Sequence, residues 1–63
     1  MEYRIKAIRE QMKMSQQELA ARSGVSRATI SGLESGTLTV TTTETLLKIA
    51  KALEKKVSDI FLE

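Results

Sequence analysis

The side chains able to do chemistry in this 63-residue chain are few in kind, and the absences come first. There is no His and no Cys, so the commonest general bases, nucleophiles and transition-metal ligands are missing. Ser and Thr are plentiful, but a hydroxyl needs an activating base, and none stands near one in the pattern. Gly24, Gly32 and Gly36 make no phosphate-binding loop. No enzyme, metal or cofactor is expected. What remains is hydrogen-bonding chemistry. In Arg27–Glu34, RATISGLE, Ile30 and Leu33 are apolar at a spacing of three and turn inward on a helix. Arg27, Ala28, Ser31 and Gly32 then share the outer face. An Arg on the first turn can donate two hydrogen bonds to guanine O6 and N7, and an Ala methyl suits a thymine methyl. Ser31 donates or accepts and so discriminates weakly. Gly32 either lets the backbone lie close to a groove floor or relieves crowding against another helix, since a mid-helix Gly costs roughly 1 kcal/mol against Ala. These four are the candidate base readers of double-stranded DNA. The bland reading of Arg27 is a solvated helix-start residue.

Two helices must position that face. Ser15-Gln16-Gln17-Glu18 is a capping box, and it predicts a helix from Gln16 to about Ser23. Gly24 follows, where the chain must reverse through a left-handed corner. Ser26 can cap the next helix, which runs from about Arg27 to Glu34 and ends at Ser35-Gly36. Leu19, Ala20, Val25, Ile30 and Leu33 are the apolar positions, with Ala20 small where the helices approach. This is the pattern of a helix-turn-helix over about residues 16–35, a geometry that presents its second helix to the major groove. Helix starts offer free backbone N–H groups and the positive dipole end to anions. Ser15, Gln16 and Ser26 are therefore the expected phosphate contacts, alongside the two serines' capping roles. Gln16→Ala should weaken all DNA sequences alike. Arg9, next to Ile8, and Glu34, next to Leu33, can meet in a structural ion pair that fixes the recognition helix, a bidentate role that suits Arg better than Lys.

The rest of the chain is read as scaffold. A first helix is expected from about Tyr3 to Met12, with Lys13 where a Gly would be the easier terminator. Residues 37–43 read as a loop, because a lone strand would have no pairing partner. Thr41 with Glu44 could form a capping box, and Thr42 is the competing cap. A fourth helix then runs to about Leu53, and a short fifth spans Val57 to Leu62. The expected core is Ile5, Ile8, Met14, Leu19, Ala20, Val25, Ile30, Leu33, Leu46, Ile49, Ala50, Leu53, Val57, Ile60 and Phe61. The fold class is all-α, one domain over residues 1–63. No apolar run is long enough to span a bilayer, and no signal segment opens the chain, so a soluble, cytoplasmic protein is expected, with no membrane partner. Net charge is only +2. All of the excess lies in residues 1–36, which carry six cations against four carboxylates, while residues 37–63 balance. A domain this small without disulfides needs tight packing, a partner subunit or both. Ile60, Phe61 and Leu62 are too wide an apolar cluster for one face of a short helix. A homodimer contact is therefore expected at Val57, Ile60, Phe61 and Leu62, with help from the fourth helix.

RIKAIREQMKMSQQELAARSGVSRATISGLESG followed by TLLKIAKALEKKVSDIF resembles the Cro and phage-repressor type of helix-turn-helix, the Xre family, over nearly the whole chain. The resemblance implies a five-helix, lambda-repressor-like domain that binds operator DNA as a homodimer. It implies that Gln16 contacts phosphate, that Arg27, Ala28 and Gly32 fall at base-reading positions, and that Arg9 and Glu34 form the family's structural ion pair. Three departures stand out. Gly32 lacks the long polar side chain of many relatives, Lys13 replaces a Gly, and Lys55 replaces an apolar residue. The leading expectation is a transcriptional regulator, a repressor on a palindromic operator. The second, from another class, is a protein-interaction module such as the antitoxin partner of a toxin, which could bind DNA as well. An antitoxin usually carries a further segment, and none is expected after Glu63.

Overall fold

Three helices begin at a hydroxyl that accepts a backbone N–H from the first turn, the favoured way to satisfy a helix's orphan donors. The computed structural model describes residues 2–38 and 42–62, with the backbone alone for Glu2, Phe61 and Leu62. Its order is β1 (Glu2–Tyr3), α1 (Ile5–Gln11), α2 (Gln16–Ser23), α3 (Arg27–Ser35), α4 (Thr43–Ala52), α5 (Val57–Ile60) and β2 (Phe61–Leu62). Ser15 caps α2, Ser26 caps α3 and Thr42 caps α4. Thr42 thus takes the role for which Thr41 competed, and Thr41 lies outside the described residues. At α2 only half of the expected capping box forms. Ser15 Oγ accepts from the Glu18 N–H at 3.0 Å, but the Glu18 carboxylate turns to Arg22, one turn along. A charged partner on the same face outcompetes a backbone donor.

The helix ends explain two odd residues. Lys13 and Glu54 both have φ of +56°, a left-handed conformation that costs a side-chain-bearing residue roughly 1–2 kcal/mol. Both positions close the same motif. After α1, the Lys13 N–H reaches Glu10 O and the Met14 N–H reaches Arg9 O, each at 3.0 Å. After α4, the Glu54 N–H reaches Lys51 O at 3.1 Å and the Lys55 N–H reaches Ala50 O at 2.8 Å. These bonds satisfy the last carbonyls of each helix and offset the strain. Met14 then drops into the core at 4% exposure, whereas Lys55 stays exposed.

The ends of the chain differ from the helical expectation. The first helix does not include Tyr3, and the fifth stops at Ile60. Tyr3 pairs with Phe61 and Glu2 with Leu62 in a short antiparallel ladder, and the Arg4 N–H reaches Ile60 O at 2.8 Å. Two extended ends satisfy each other's backbone groups, a partnership across nearly the whole chain that no local pattern encodes. The five helices surround Ile5, Leu19, Ile30, Ile49, Leu53 and Ile60, all at or below 1% exposure. The remaining expected core residues with described side chains are buried too, except Ala20 and Val57, which are half-buried against the cluster. Leu38, not expected there, also packs on it. The core expectation for Phe61 concerns a side chain outside the described set. α2 packs on both α3 and α4, and α4 on α5, so the helix-turn-helix is braced from behind.

Candidate nucleic-acid interface

The candidate reading helix, α3, is built on two buried side chains and a buried charge. Ile30 and Leu33 are 0% and 3% exposed. Ser26 Oγ accepts from the Thr29 N–H at 3.2 Å and lies 2.8 Å from the Thr29 hydroxyl. With that face inward, Arg27, Ala28 and Ser31 are exposed in a row. Gly24, at φ +75°, turns the chain between α2 and α3 with its N–H on Ala20 O at 2.9 Å.

Gly32 requires a correction. It is half-buried, and a Cβ built there would lie 3.0 Å from Leu38 Cβ. The Gly32 carbonyl also accepts the Leu38 N–H at 2.9 Å. The segment leaving α3 folds back over the side of Gly32 where a side chain would stand, so that side offers nothing to a base. Its missing side chain makes room for Leu38, which is the crowding role, met by the following loop rather than by another helix.

Behind α3 lies the ion pair. Arg9 Nε donates to Glu34 Oε2 at 2.8 Å and Nη2 to Oε1 at 3.1 Å, while Nη1 donates to the Met14 carbonyl at 2.7 Å. The side chains of Arg9 and Glu34 are only 10% and 4% exposed. The planar guanidinium thus ties α1, its C-terminal turn and the end of α3 together. The Gln16 amide joins them, its Nε2 donating to Glu34 Oε1 at 3.0 Å, and Arg27 Nε approaches Gln16 Oε1 at 3.5 Å. Sequence reasoning missed Gln16's place in this chain of contacts. Its partners are 18 and 11 residues away, and no periodicity links them. Gln16 is half-buried and Ser15 and Ser26 are exposed, and each serine hydroxyl accepts a first-turn N–H of the helix it caps.

Burial pushes the Glu34 carboxyl up, but hydrogen bonds from Arg9 and Gln16 and the charges of Arg9 and Lys6 outweigh it, leaving it below its ordinary value. The hydrogen bond to Glu34 raises Arg9 against the opposing effect of burial, helped by the charges of Glu34 and Glu10. A carboxyl lowered in the folded state contributes stability above its unfolded value, roughly 4.3, and loses it as pH falls through the folded value. Urea melts taken from pH 7 down to pH 3 are therefore expected to move to lower denaturant below about pH 4. Replacing both partners with apolar residues (Arg9→Met with Glu34→Leu) should flatten that acid limb. An equally steep limb in the double variant would assign it to other carboxylates.

Of the expected dimer residues, Ile60 is fully buried within one chain. This corrects its assignment to an interface, because it has no surface left to give. Val57 is half-buried, and the Phe61 and Leu62 side chains lie outside the described residues. Leu47, on α4, is the one large apolar side chain among the described residues that stands open, at 55% exposure. No helix among the described residues is long and apolar enough to cross a membrane.

A helix-turn-helix family model matches residues 5–60. An uncharacterized HTH-type transcriptional regulator of Archaeoglobus fulgidus is 42% identical over 62 residues, which span 98% of this chain and 86% of the relative.

Proposed function

This chain belongs to the helix-turn-helix family of DNA-binding transcriptional regulators, and from that premise we propose that it is a cytoplasmic repressor that reads a palindromic operator as a homodimer. One observation carries the reading. α3 offers Arg27, Ala28 and Ser31 to solvent in a row, while Ile30, Leu33 and the Glu34–Arg9 pair hold its other side rigid. A rigid helix with a single long donor at its start is suited to reading a base edge in the major groove. Phosphates are taken by the first-turn N–H groups of α2 and α3, beside Ser15, Gln16 and Ser26. A body of 24 × 21 × 19 Å seated in the groove excludes other proteins from the stretch it covers, and repression needs no more than that occupancy. The second copy makes its contact around Val57 and the outer face of α4, where Leu47 is exposed. A two-fold axis there would set two recognition helices roughly 34 Å apart, one turn of DNA.

Selection from a random DNA pool, followed by sedimentation on the selected site, tests this. The expected site is an inverted repeat with half-site centres about 10 base pairs apart, occupied by two protomers, and binding should weaken steeply with salt. A single unrepeated half-site holding one protomer would remove the dimer. Failure to enrich any sequence would remove sequence-specific regulation.

A further inference from the structure

Resting on the reading of Arg27 as a base reader, we infer that Glu34 is a positioning residue for base selectivity as well as a fold-stabilising one, acting through the Gln16 amide. Hydrogen-bond polarity fixes which atoms face each other. An ionised carboxylate only accepts hydrogen bonds. Glu34 Oε1 lies 3.0 Å from the Gln16 side-chain amide, so the amide group facing it must be the NH2. That choice leaves the Gln16 carbonyl oxygen turned outward. The oxygen then lies 3.5 Å from Arg27 Nε, which can only donate.

The consequence falls on the exposed guanidinium. Its neighbours on the outer face of α3 are Ala28 and Ser31, both short. At 3.5 Å the contact with Gln16 is long for a hydrogen bond; drawn in by a small rotation, it restricts the Arg27 rotamer before it meets DNA and keeps both terminal nitrogens free. Those two nitrogens are the fork that matches guanine O6 and N7, and ordering them beforehand reduces the entropy cost of binding. Were the amide reversed, its NH2 would face Arg27 Nε, donor against donor, and the guanidinium would be driven off. Glu34 is itself held by two bonds from Arg9, so the orientation passes from a buried ion pair to the reading side chain.

The experiment compares affinities of the full chain for two DNAs. One is the selected operator. The other carries adenine in place of guanine at the base pair whose preference Arg27→Ala abolishes. The quantity read is the ratio of the two affinities. A purely structural role changes the folded fraction and lowers both affinities by one factor, so it leaves the ratio alone. Gln16→Met keeps the bulk of the side chain and removes the acceptor. Glu34→Gln keeps the shape and removes the charge and one acceptor oxygen, which weakens the hold on the Gln16 amide whichever way the new amide settles. Each is expected to lower the guanine preference roughly fivefold, the scale of one lost hydrogen bond, which for Gln16 goes beyond the uniform loss on all DNA expected of a phosphate contact alone. The double variant should lose no more than the single ones, since both act on one orientation. If Arg27→Ala abolishes the preference while Gln16→Met and Glu34→Gln leave the ratio unchanged, the positioning role is wrong and the base-reading assignment survives. If Arg27→Ala itself changes no base preference, the base-reading assignment fails, and the positioning role with it. Should Glu34→Gln fail to fold, Gln16→Met decides alone, and an equal loss on both DNAs would reduce Gln16 to a phosphate contact.

Discussion

Arg9→Ala is expected to remove much or all of the protein's stability at neutral pH. The substitution removes three donated hydrogen bonds at once, two to Glu34 and one to the Met14 carbonyl. It also strands a carboxylate that is only 4% exposed. Breaking a buried pair by deleting one partner costs about 3–5 kcal/mol, because the survivor is left uncompensated. A 63-residue domain has a total stability of roughly 3–9 kcal/mol, so the loss takes much or all of it. Circular dichroism melts of the parent, Arg9→Ala and Glu34→Ala check this, and both variants should lose their cooperative transition or move it far down. The pairing of Arg9→Met with Glu34→Leu should melt above either single alanine variant, since apolar replacements leave no orphan charge. A single alanine variant melting within about 2 °C of the parent would mean that the pair contributes little, as exposed pairs do.

That ion pair was legible in the sequence, and the reason is instructive. Arg9 follows Ile8 and Glu34 follows Leu33, so each charge sits at the edge of an apolar stripe whose direction the helical period gives. The same logic places Ile30, Leu33, Leu46, Ile49 and Leu53 in the core, and the serines at 15 and 26 at helix starts. What escaped the sequence depends on contacts between distant segments. The pairing of Tyr3 with Phe61 joins residues too far apart for any window to connect, and each end taken alone reads as a helix. Gly32 looked like an open groove position because Leu38, six residues on, has no periodic reason to return over it. Ile60 looked available to a partner because its neighbours are apolar too, yet the chain's own core consumes it completely. Gln16 was legible as a helix start and not as a link between Glu34 and Arg27. A side chain's second partner is a tertiary fact.

Arg27→Ala is expected to weaken binding to the selected operator by about 1–3 kcal/mol, the discrimination carried by one bidentate contact to a base pair. On random DNA the loss should be much smaller, because non-specific affinity comes from phosphates. The structure gives the reason for expecting so large a share from one residue. Along the outer face of α3, Ala28 can offer only a methyl, Ser31 a hydroxyl that accepts or donates, and Gly32 lies under Leu38. Arg27 is the one long side chain in that row, it is exposed, and Gln16 stands at its Nε. Competition binding against a set of operators, each altered at one base pair, locates the effect. The variant should bind the parent site and the site altered at one position of each half equally well, while keeping its preferences elsewhere. Salt dependence separates the alternatives further. A base contact leaves the slope of log affinity against log salt nearly unchanged, whereas loss of a phosphate contact lowers it by about one. Equal losses on operator and random DNA, together with a shallower slope, would make Arg27 a phosphate ligand and move sequence reading to Ser31 and Ala28.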